Sequence, residues 1–296
     1  MLLRRSSFVR WGLLALAPVL GCSLLVDTSG LDEPKVESAM GTDAGDATAA
    51  DVHNVVPPDG AKVCAPTVTV DDSLGETLGA FYRPSSRVLD YPKIELFEAT
   101  TAAVLLPKPT PTDAGSGEFF DAFSGIWVNQ VVPLVAFDAT AEIQIVCNRS
   151  QCADGVAMAW LDTVDPTALS RGLSGSAVGV PPDVAGAAAL LDIYENPELS
   201  DPKVPAGEIV RIEPSKKPGE SPWVVASNPI VVSGWKRVAV SVRAGMATLS
   251  VGGTPVVSAP VPEVKRGLFG VTAGTGGLTL AVAVRDFHAK FYDCAP

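Results

Sequence analysis

Residues 189–205 read ALLDIYENPELSDPKVP, and this stretch says more about the fold and the function than any other. An apolar run from Val184 to Leu191 leads into it and predicts a buried strand. An acidic loop follows, closed by Pro202 and Pro205. The loop carries oxygen-bearing residues from Asp192 to Asp201 at the spacing D-x-Y-x-N-x4-D-P. The sequence therefore predicts a strand that ends in a loop of candidate ligands.

The oxygen donors in this loop are those that a hard cation prefers. Calcium takes about six to eight oxygens from carboxylates, amide and backbone carbonyls and water. Asp192 and Asp201 can supply carboxylates, and Asn196 can supply a side-chain carbonyl. Tyr194 can supply its backbone carbonyl. The spacing is not that of an EF-hand, and an acidic loop in solvent is the alternative on chemistry alone.

The loop resembles the metal-binding loop of the L-type (legume-type) lectins, the concanavalin A group. The pattern of that family is E-x-D-x-[YF]-x-N-x4-D-P, followed by a His. The resemblance implies that one calcium ion is bound by four residues: Asp192, Tyr194, Asn196 and Asp201. Leu190 and Ala206 stand where the family has the Glu and His that hold a neighbouring transition metal. Neither side chain offers a donor atom, so we expect no second, transition metal.

Two upstream motifs resemble the same family and imply a sugar site. Ala153-Asp154-Gly155 matches the (A/G)-D-G loop, whose Asp accepts hydrogen bonds from sugar hydroxyls and usually follows a cis peptide bond. Gly175 to Val180 resembles the G-G-x-L-G-[LV] loop, which lends a backbone N–H to the sugar, with Ser176 in place of the second glycine. The resemblance thus implies a carbohydrate-binding set: Asp154, Ser176, Tyr194 and Asn196.

The C-terminal part is also similar to that family. Trp235 to Val242 matches its strand that starts with Trp, and Gly270 to Gly277 is similar to G-[FV]-[ST]-A-x-T-G. The resemblance runs from about Ala65 to Cys294. It implies a calcium-dependent lectin-like protein whose partner is a glycan or polysaccharide. We expect Trp160, in mid-strand, to pack in the core rather than to contact sugar.

An enzyme and a scaffold are the two alternative functions. Related jelly-roll glucanases carry E-x-D-x-x-E, which Leu190, Asp192 and Glu195 approach. Retaining hydrolysis needs two carboxyl groups about 5–5.5 Å apart, one of them a nucleophile. Leu190 stands at the nucleophile position and cannot attack, so we expect no glycosidase and no catalytic residue. The departures from the lectin pattern leave open a domain that lost the sugar and serves in adhesion or as an envelope scaffold.

Strand patterns dominate residues 61–296, which we predict to be one domain. Ala141 to Cys147 and Arg237 to Arg243 alternate with period two, as do Ala247 to Val251, Thr279 to Val284 and Phe287 to Tyr292. Glycine and proline pairs separate these runs, and no long stretch has the helical period. The pattern alone predicts an all-β sandwich or barrel. The resemblance selects a concanavalin A-like jelly-roll β-sandwich.

The N-terminal residues predict export and a lipid anchor. Residues 1–21 carry three arginines before a short apolar run, which is typical of a signal peptide. Val19 to Cys22 resembles a bacterial lipobox, which implies cleavage before Cys22 and its acylation. Ser23 follows the cysteine, which favours the outer membrane of the cell envelope. Residues 22–60 are predicted to be a flexible tether, because Ser38 to Asp51 carries almost no large apolar side chain, and the lipid is expected to be the only membrane contact.

The other four cysteines predict two disulfides, because exported chains are oxidised. Cys147 and Cys152 bound a tight loop before the Ala-Asp-Gly motif, and we expect them to pair. Cys64 and Cys294 flank the domain, and in the lectin fold the terminal strands lie side by side, which implies the second pair. A metal-ligand set is the alternative, but there is no C-x2-C and there are only two histidines.

The net charge argues against nucleic acid as a partner. The full chain has a formal charge of −11, and removal of residues 1–21 takes away three arginines and no acid, which leaves −14. Proteins bind phosphate backbones through lysine and arginine. A chain this acidic is therefore not expected to bind nucleic acid.

Overall fold

The computed structural model describes residues 64–86, 90–108, 120–147, 152–196, 203–214 and 223–294. These residues form seventeen strands: β1 (Val68–Asp72), β2 (Phe81–Tyr82), β3 (Ser85–Ser86), β4 (Lys93–Phe97), β5 (Thr100–Leu106), β6 (Phe123–Val128), β7 (Val132–Pro133), β8 (Ala136–Val146), β9 (Gly155–Leu161), β10 (Gly186–Asp192), β11 (Ala206–Ile212), β12 (Trp223–Pro229), β13 (Lys236–Arg243), β14 (Met246–Val251), β15 (Thr254–Pro260), β16 (Arg266–Gly274) and β17 (Ala281–Tyr292). The helices within these ranges are two short 3₁₀ helices, Pro166–Arg171 and Gly175–Ala177. The prediction of an all-β domain is confirmed.

The strands form two antiparallel sheets. One has the order β15-β14-β13-β8-β17-β5-β4, and β1 also pairs with β17. The other has the order β12-β11-β10-β9-β16-β6-β2, with β3 beside β6 and β7 beside β16. Runs of consecutive strands, β13 to β15 and β9 to β12, alternate with neighbours that are far apart in the chain, such as β8 and β17 or β9 and β16. Such long crossing connections are typical of a jelly roll.

The main core lies between the two sheets. Phe137 on β8 stands at its centre and is fully buried. Its ring contacts Trp160 of the opposite sheet at 5.4 Å and Phe269 at 5.1 Å, both edge to face. Trp160 is therefore a core residue, as expected. Sheets packed face to face through interdigitated side chains define a β-sandwich.

The outer face of the nine-stranded sheet is also covered, which explains the unbroken apolar runs of β9 and β10. The β9–β10 connection, residues 162–185, carries both 3₁₀ helices. Its Leu169, Val178 and Val180 join a second apolar cluster with outward-facing residues of the sheet. A strand buried on both faces loses the period-two alternation. The strand predicted from Val184 to Leu191 is confirmed as Gly186–Asp192.

The chain's last strand differs from the expected pattern. Thr279 to Val284 and Phe287 to Tyr292 alternate separately in the sequence, yet both belong to the single strand β17, Ala281–Tyr292. The register with β8 shifts between Arg285 and His288, and Asp286 has a φ of 49°. Such a bulge reverses the facing of the side chains without ending the strand.

Both predicted disulfides are confirmed. Cys64 is bonded to Cys294, and Cys147 is bonded to Cys152. The first bridge joins the two ends of the described chain, where β1 pairs with β17 from Val68↔Phe291 to Asp72↔Phe287.

All described residues lie within one compact unit, Pro58–Pro296. The predicted signal peptide, Cys22 and the tether lie outside the described residues. No helix in the described part of the chain has the length and apolar character that a bilayer span requires.

Candidate functional site

Four adjacent strands of the nine-stranded sheet end at the same edge. Gly155, the first residue of β9, pairs with Asp192, the last residue of β10. On its other side Gly155 pairs with Gly274, the last residue of β16. Gly274 in turn pairs with Phe123, the first residue of β6. Because β10, β9, β16 and β6 are neighbours, the segments just beyond these residues are brought together. They include the Ala-Asp-Gly motif and the acidic loop.

Asp154 lies at the centre of this edge and is buried, with 5% of its surface exposed. Its backbone N–H donates to the carbonyl of Gly274 at 2.9 Å, and its carbonyl accepts from the N–H of Ile193 at 3.0 Å. The peptide bond before it is cis, as the resemblance implied. Gly155 follows, and a Cβ there would clash with the carbonyl oxygen of Leu191. Close approach of β10 to the Asp154 segment therefore requires glycine.

The acidic loop folds back on itself directly after β10. Asp192 is 5% exposed, and its Oδ1 accepts from the N–H of Tyr194 at 3.1 Å. The Asn196 amide donates to the Tyr194 carbonyl at 3.4 Å. The first of these contacts is an Asx turn, in which a side-chain oxygen accepts from the backbone N–H two residues on. Asp192, Tyr194 and Asn196 are thus brought together next to Asp154, whereas Asp201 and Pro202 lie outside the described residues.

Apolar side chains occupy the two positions where the lectin family has its transition-metal ligands. Leu190 is buried in the outer apolar cluster. Ala206 pairs directly with Asp192 across β10 and β11. In the part of the chain that the structure describes, no three His, Cys, Asp or Glu side chains group closely enough to hold a metal ion.

One acidic residue near this loop was missed by the sequence analysis. Glu208 on β11 is 1% exposed and pairs directly with Leu190. Residues two apart on a strand share a face, so Glu208, Leu190 and Asp192 lie on the same face of the sheet. Glu208 therefore stands on the strand next to the position where the family has its Glu. A charged residue in the apolar run of β11 was the available signal, but its neighbour depends on the strand register.

The Gly175 segment reaches the same edge through a 3₁₀ helix. The N–H of Gly175 donates to the carbonyl of Thr275 at 2.9 Å. Three residues of this segment have a left-handed φ: Gly175 (69°), Val178 (43°) and Gly179 (85°). Ser176 does not have a left-handed φ, so replacing the family's second glycine with serine imposes no backbone strain there.

Thr275 joins three of the segments at the edge and was not singled out by the sequence analysis. It is 1% exposed, and its Oγ1 accepts from the N–H of Ala122 at 3.0 Å. Its own N–H donates to the carbonyl of Ala122 at 2.8 Å. The same residue accepts the bond from Gly175. Thr275 therefore fixes the start of β6 and the 3₁₀ helix relative to the end of β16.

Comparison with known proteins identifies the fold. No family model matches the chain, and no curated protein matches it. The winged bean acidic lectin, solved with methyl-α-D-galactose, superposes with a TM-score of 0.56 at 14% identity over 76% of this chain and 98% of that one. The Bauhinia forficata lectin, solved with GalNAc, gives 0.55 at 14% identity over 77% and 99%.

A third similar structure is the exoplasmic/lumenal domain of VIP36 in its Ca2+/Man3GlcNAc-bound form. It gives a TM-score of 0.55 at 16% identity over 75% of this chain and 86% of that one. Identities this low establish the fold alone. The chain has the concanavalin A-like sandwich fold of the L-type lectins, and the winged bean and Bauhinia forficata proteins that it resembles are lectins.

Proposed function

We propose that this chain is a calcium-dependent carbohydrate-binding protein that is tethered to the bacterial cell envelope by a lipid. The observation that carries the proposal is the contact between Asp154 and the Asp192–Asn196 loop, in which the N–H of Ile193 donates to the Asp154 carbonyl at 3.0 Å. The fold supports the proposal, because the winged bean lectin with this fold was solved with a galactoside and the VIP36 domain with a mannose glycan.

The residues at the edge can bind a sugar through complementary polar groups. The Asp154 carboxylate accepts hydrogen bonds from two adjacent hydroxyls, and the Asn196 amide both donates and accepts. Ser176 contributes its backbone N–H, and the half-buried Tyr194 offers a ring face on which a sugar can stack. A site built to pair hydroxyls is left with unsatisfied polar groups when one partner is removed, which makes each anchor costly to lose.

The residues beside this site fit a calcium ion. Asp192 supplies a buried carboxylate, Tyr194 a backbone carbonyl and Asn196 a side-chain carbonyl, and Asp201 is the fourth expected ligand. Glu208 adds a buried carboxylate on the face of the sheet that carries Asp192. The donors are all oxygens, which suits a hard cation and not zinc or copper. When bound, calcium would supply positive charge that holds the acidic loop against the Asp154 segment.

Three substitutions test the sugar and calcium sites separately. Asp154→Ala removes sugar binding but leaves calcium affinity unchanged, because Asp154 is not in the calcium set. Asn196→Ala weakens both, because it serves both. Glu195→Gln changes neither, since Glu195 is exposed at the loop surface. Isothermal titration calorimetry measures the affinity of each of the three variants for calcium and for a glycan that has been identified on an array. Sugar binding that survives Asp154→Ala would disprove the site.

The enzyme alternative has its own readout in the same variants. A glucanase that used Glu195 as its acid would lose hydrolysis of a laminarin-type glucan in Glu195→Gln and keep it in Asp154→Ala. That outcome would identify the protein as a glucanase and contradict the lectin proposal. Calcium binding with no glycan recognised by any variant or by the native chain would instead identify the adhesion or scaffold function.

The lipid anchor at Cys22 is the part of the proposal that concerns location. Metabolic labelling with a palmitate analogue should mark the native chain and not Cys22→Ser. The labelled chain should fractionate with the outer membrane, and Cys22→Ser should not. An unlabelled native chain, or a membrane fraction that is unaffected by Cys22→Ser, would contradict the anchor.

A further inference from the structure

Gly276 lies against the carboxylate that the proposed sugar site depends on. A Cβ placed on Gly276 would lie 2.9 Å from Oδ2 of Asp154 and 3.6 Å from its Oδ1 and Cγ. The first distance is shorter than a Cβ tolerates, whereas a glycine hydrogen fits there. The Asp154 carboxylate thus packs directly on the backbone of Gly276. The segment Gly270 to Gly277 resembles a family motif, but neither the motif nor the proposed function gave Gly276 a role.

The backbone on both sides of this contact is held in place. The carbonyl of Gly276 accepts from the N–H of Asp121 at 3.0 Å, and the preceding Thr275 is bonded to Ala122. Asp154 is held through its own N–H by Gly274 and through its carbonyl by Ile193. The clash caused by a methyl group at position 276 would therefore be relieved most easily by rotation of the Asp154 side chain, which has only two torsions.

The next residue provides a matched comparison. Gly277 has no heavy atom within 4 Å of an added Cβ. Neither Gly276 nor Gly277 has a left-handed φ, so alanine imposes no backbone strain at either position. The two alanine variants therefore differ in one respect, which is the contact with the Asp154 carboxylate.

We propose that Gly276 is a positioning residue of the sugar site, which by lacking a side chain keeps the Asp154 carboxylate in the orientation that accepts the sugar hydroxyls. This inference rests on the proposed sugar-binding function. It adds that the Asp154 side chain is oriented by its contact with Gly276, whereas the Asp154 backbone is bonded to Ile193 of the acidic loop. Sugar recognition by Asp154 then depends on its contact with the segment that follows β16. That segment contains none of the expected metal ligands.

Binding measurements on the full chain test the functional part. Gly276→Ala should raise the Kd for the array-identified glycan by at least about tenfold, because a misdirected carboxylate leaves sugar hydroxyls unpaired. Gly277→Ala should stay within about twofold of the native Kd. The Kd for calcium should be unchanged in both variants, an outcome that general damage to the edge would not produce. Equal glycan affinities for the two variants would overturn the inference.

A double-mutant cycle, measured by thermal unfolding, tests the contact between Gly276 and Asp154 independently of any sugar. Gly276→Ala should lower the Tm in the native background and should lower it much less in an Asp154→Ala background, where the carboxylate is gone. Equal shifts in both backgrounds would show that Gly276 does not act on Asp154, and would overturn the inference whether or not sugar binds. If the cycle shows coupling but the native chain binds no glycan, the contact stands and the proposed function fails.

Discussion

The two disulfides should contribute very differently to stability and to binding. In the chain-entropy relation for a cross-linked loop, the stabilisation grows with the logarithm of the loop length. Cys64 and Cys294 are separated by 230 residues, for which the relation gives about 5 kcal/mol. Cys147 and Cys152 are separated by 5 residues, for which it gives about 2 kcal/mol. Removing the long bridge should therefore destabilise the domain far more.

Paired serine variants of the full chain allow this comparison. Urea unfolding of Cys64→Ser/Cys294→Ser should show a drop in the free energy of unfolding more than twice that of Cys147→Ser/Cys152→Ser. The order should reverse for sugar affinity measured while both variants are folded, because the short bridge ends two residues before Asp154. Equal losses of stability, or a larger loss for the short bridge, would refute the loop-entropy reasoning.

Three further predictions concern single side chains. Glu208→Gln should weaken calcium binding several-fold by titration calorimetry while the exposed Glu263→Gln leaves it unchanged, and equal affinities would remove Glu208 from the calcium site. Phe137→Ala should lower the free energy of unfolding by about 3–5 kcal/mol, and a loss below about 1 kcal/mol would contradict its place at the core centre. Hydrogen bonds from the hydroxyl and N–H of Thr167 lower the pKa of Asp165, so this stabilisation is complete above the ordinary carboxyl pKa and lost as pH falls through the lowered one. Replacing that hydroxyl in T167V should raise the pKa of Asp165 in an NMR titration, and an unchanged pKa would exclude this cause.

Much of the fold could be predicted because its strands carry clear local signals. The runs around Trp160 and Leu191 are apolar and short, and the flanking glycines and prolines mark their ends. The disulfide between Cys64 and Cys294 followed from the resemblance, since the ends of this fold lie side by side. The proximity of Asp154 to the acidic loop followed in the same way, and the hydrogen bond from Ile193 gives it a physical form.

The rest depended on contacts that no local pattern encodes. The position of Glu208 opposite Leu190 requires the register of β10 and β11. The role of Gly276 requires the place where the Asp154 carboxylate packs, 122 positions earlier in the chain. The continuity of β17 requires knowing that a bulge at Asp286 keeps both halves paired with β8. Each of these is a relation between distant segments.

Calcium-dependent sugar recognition is tested most directly by a glycan array probed with the native full chain in calcium and again after chelation with EDTA. The account predicts binding to a defined set of glycans in calcium, its loss in EDTA, and its return when calcium is restored. Asp154→Ala should remain unbound throughout, although calcium still raises its Tm. Glycan binding of the same strength in EDTA, or an array without signal for a calcium-loaded chain, would contradict the account.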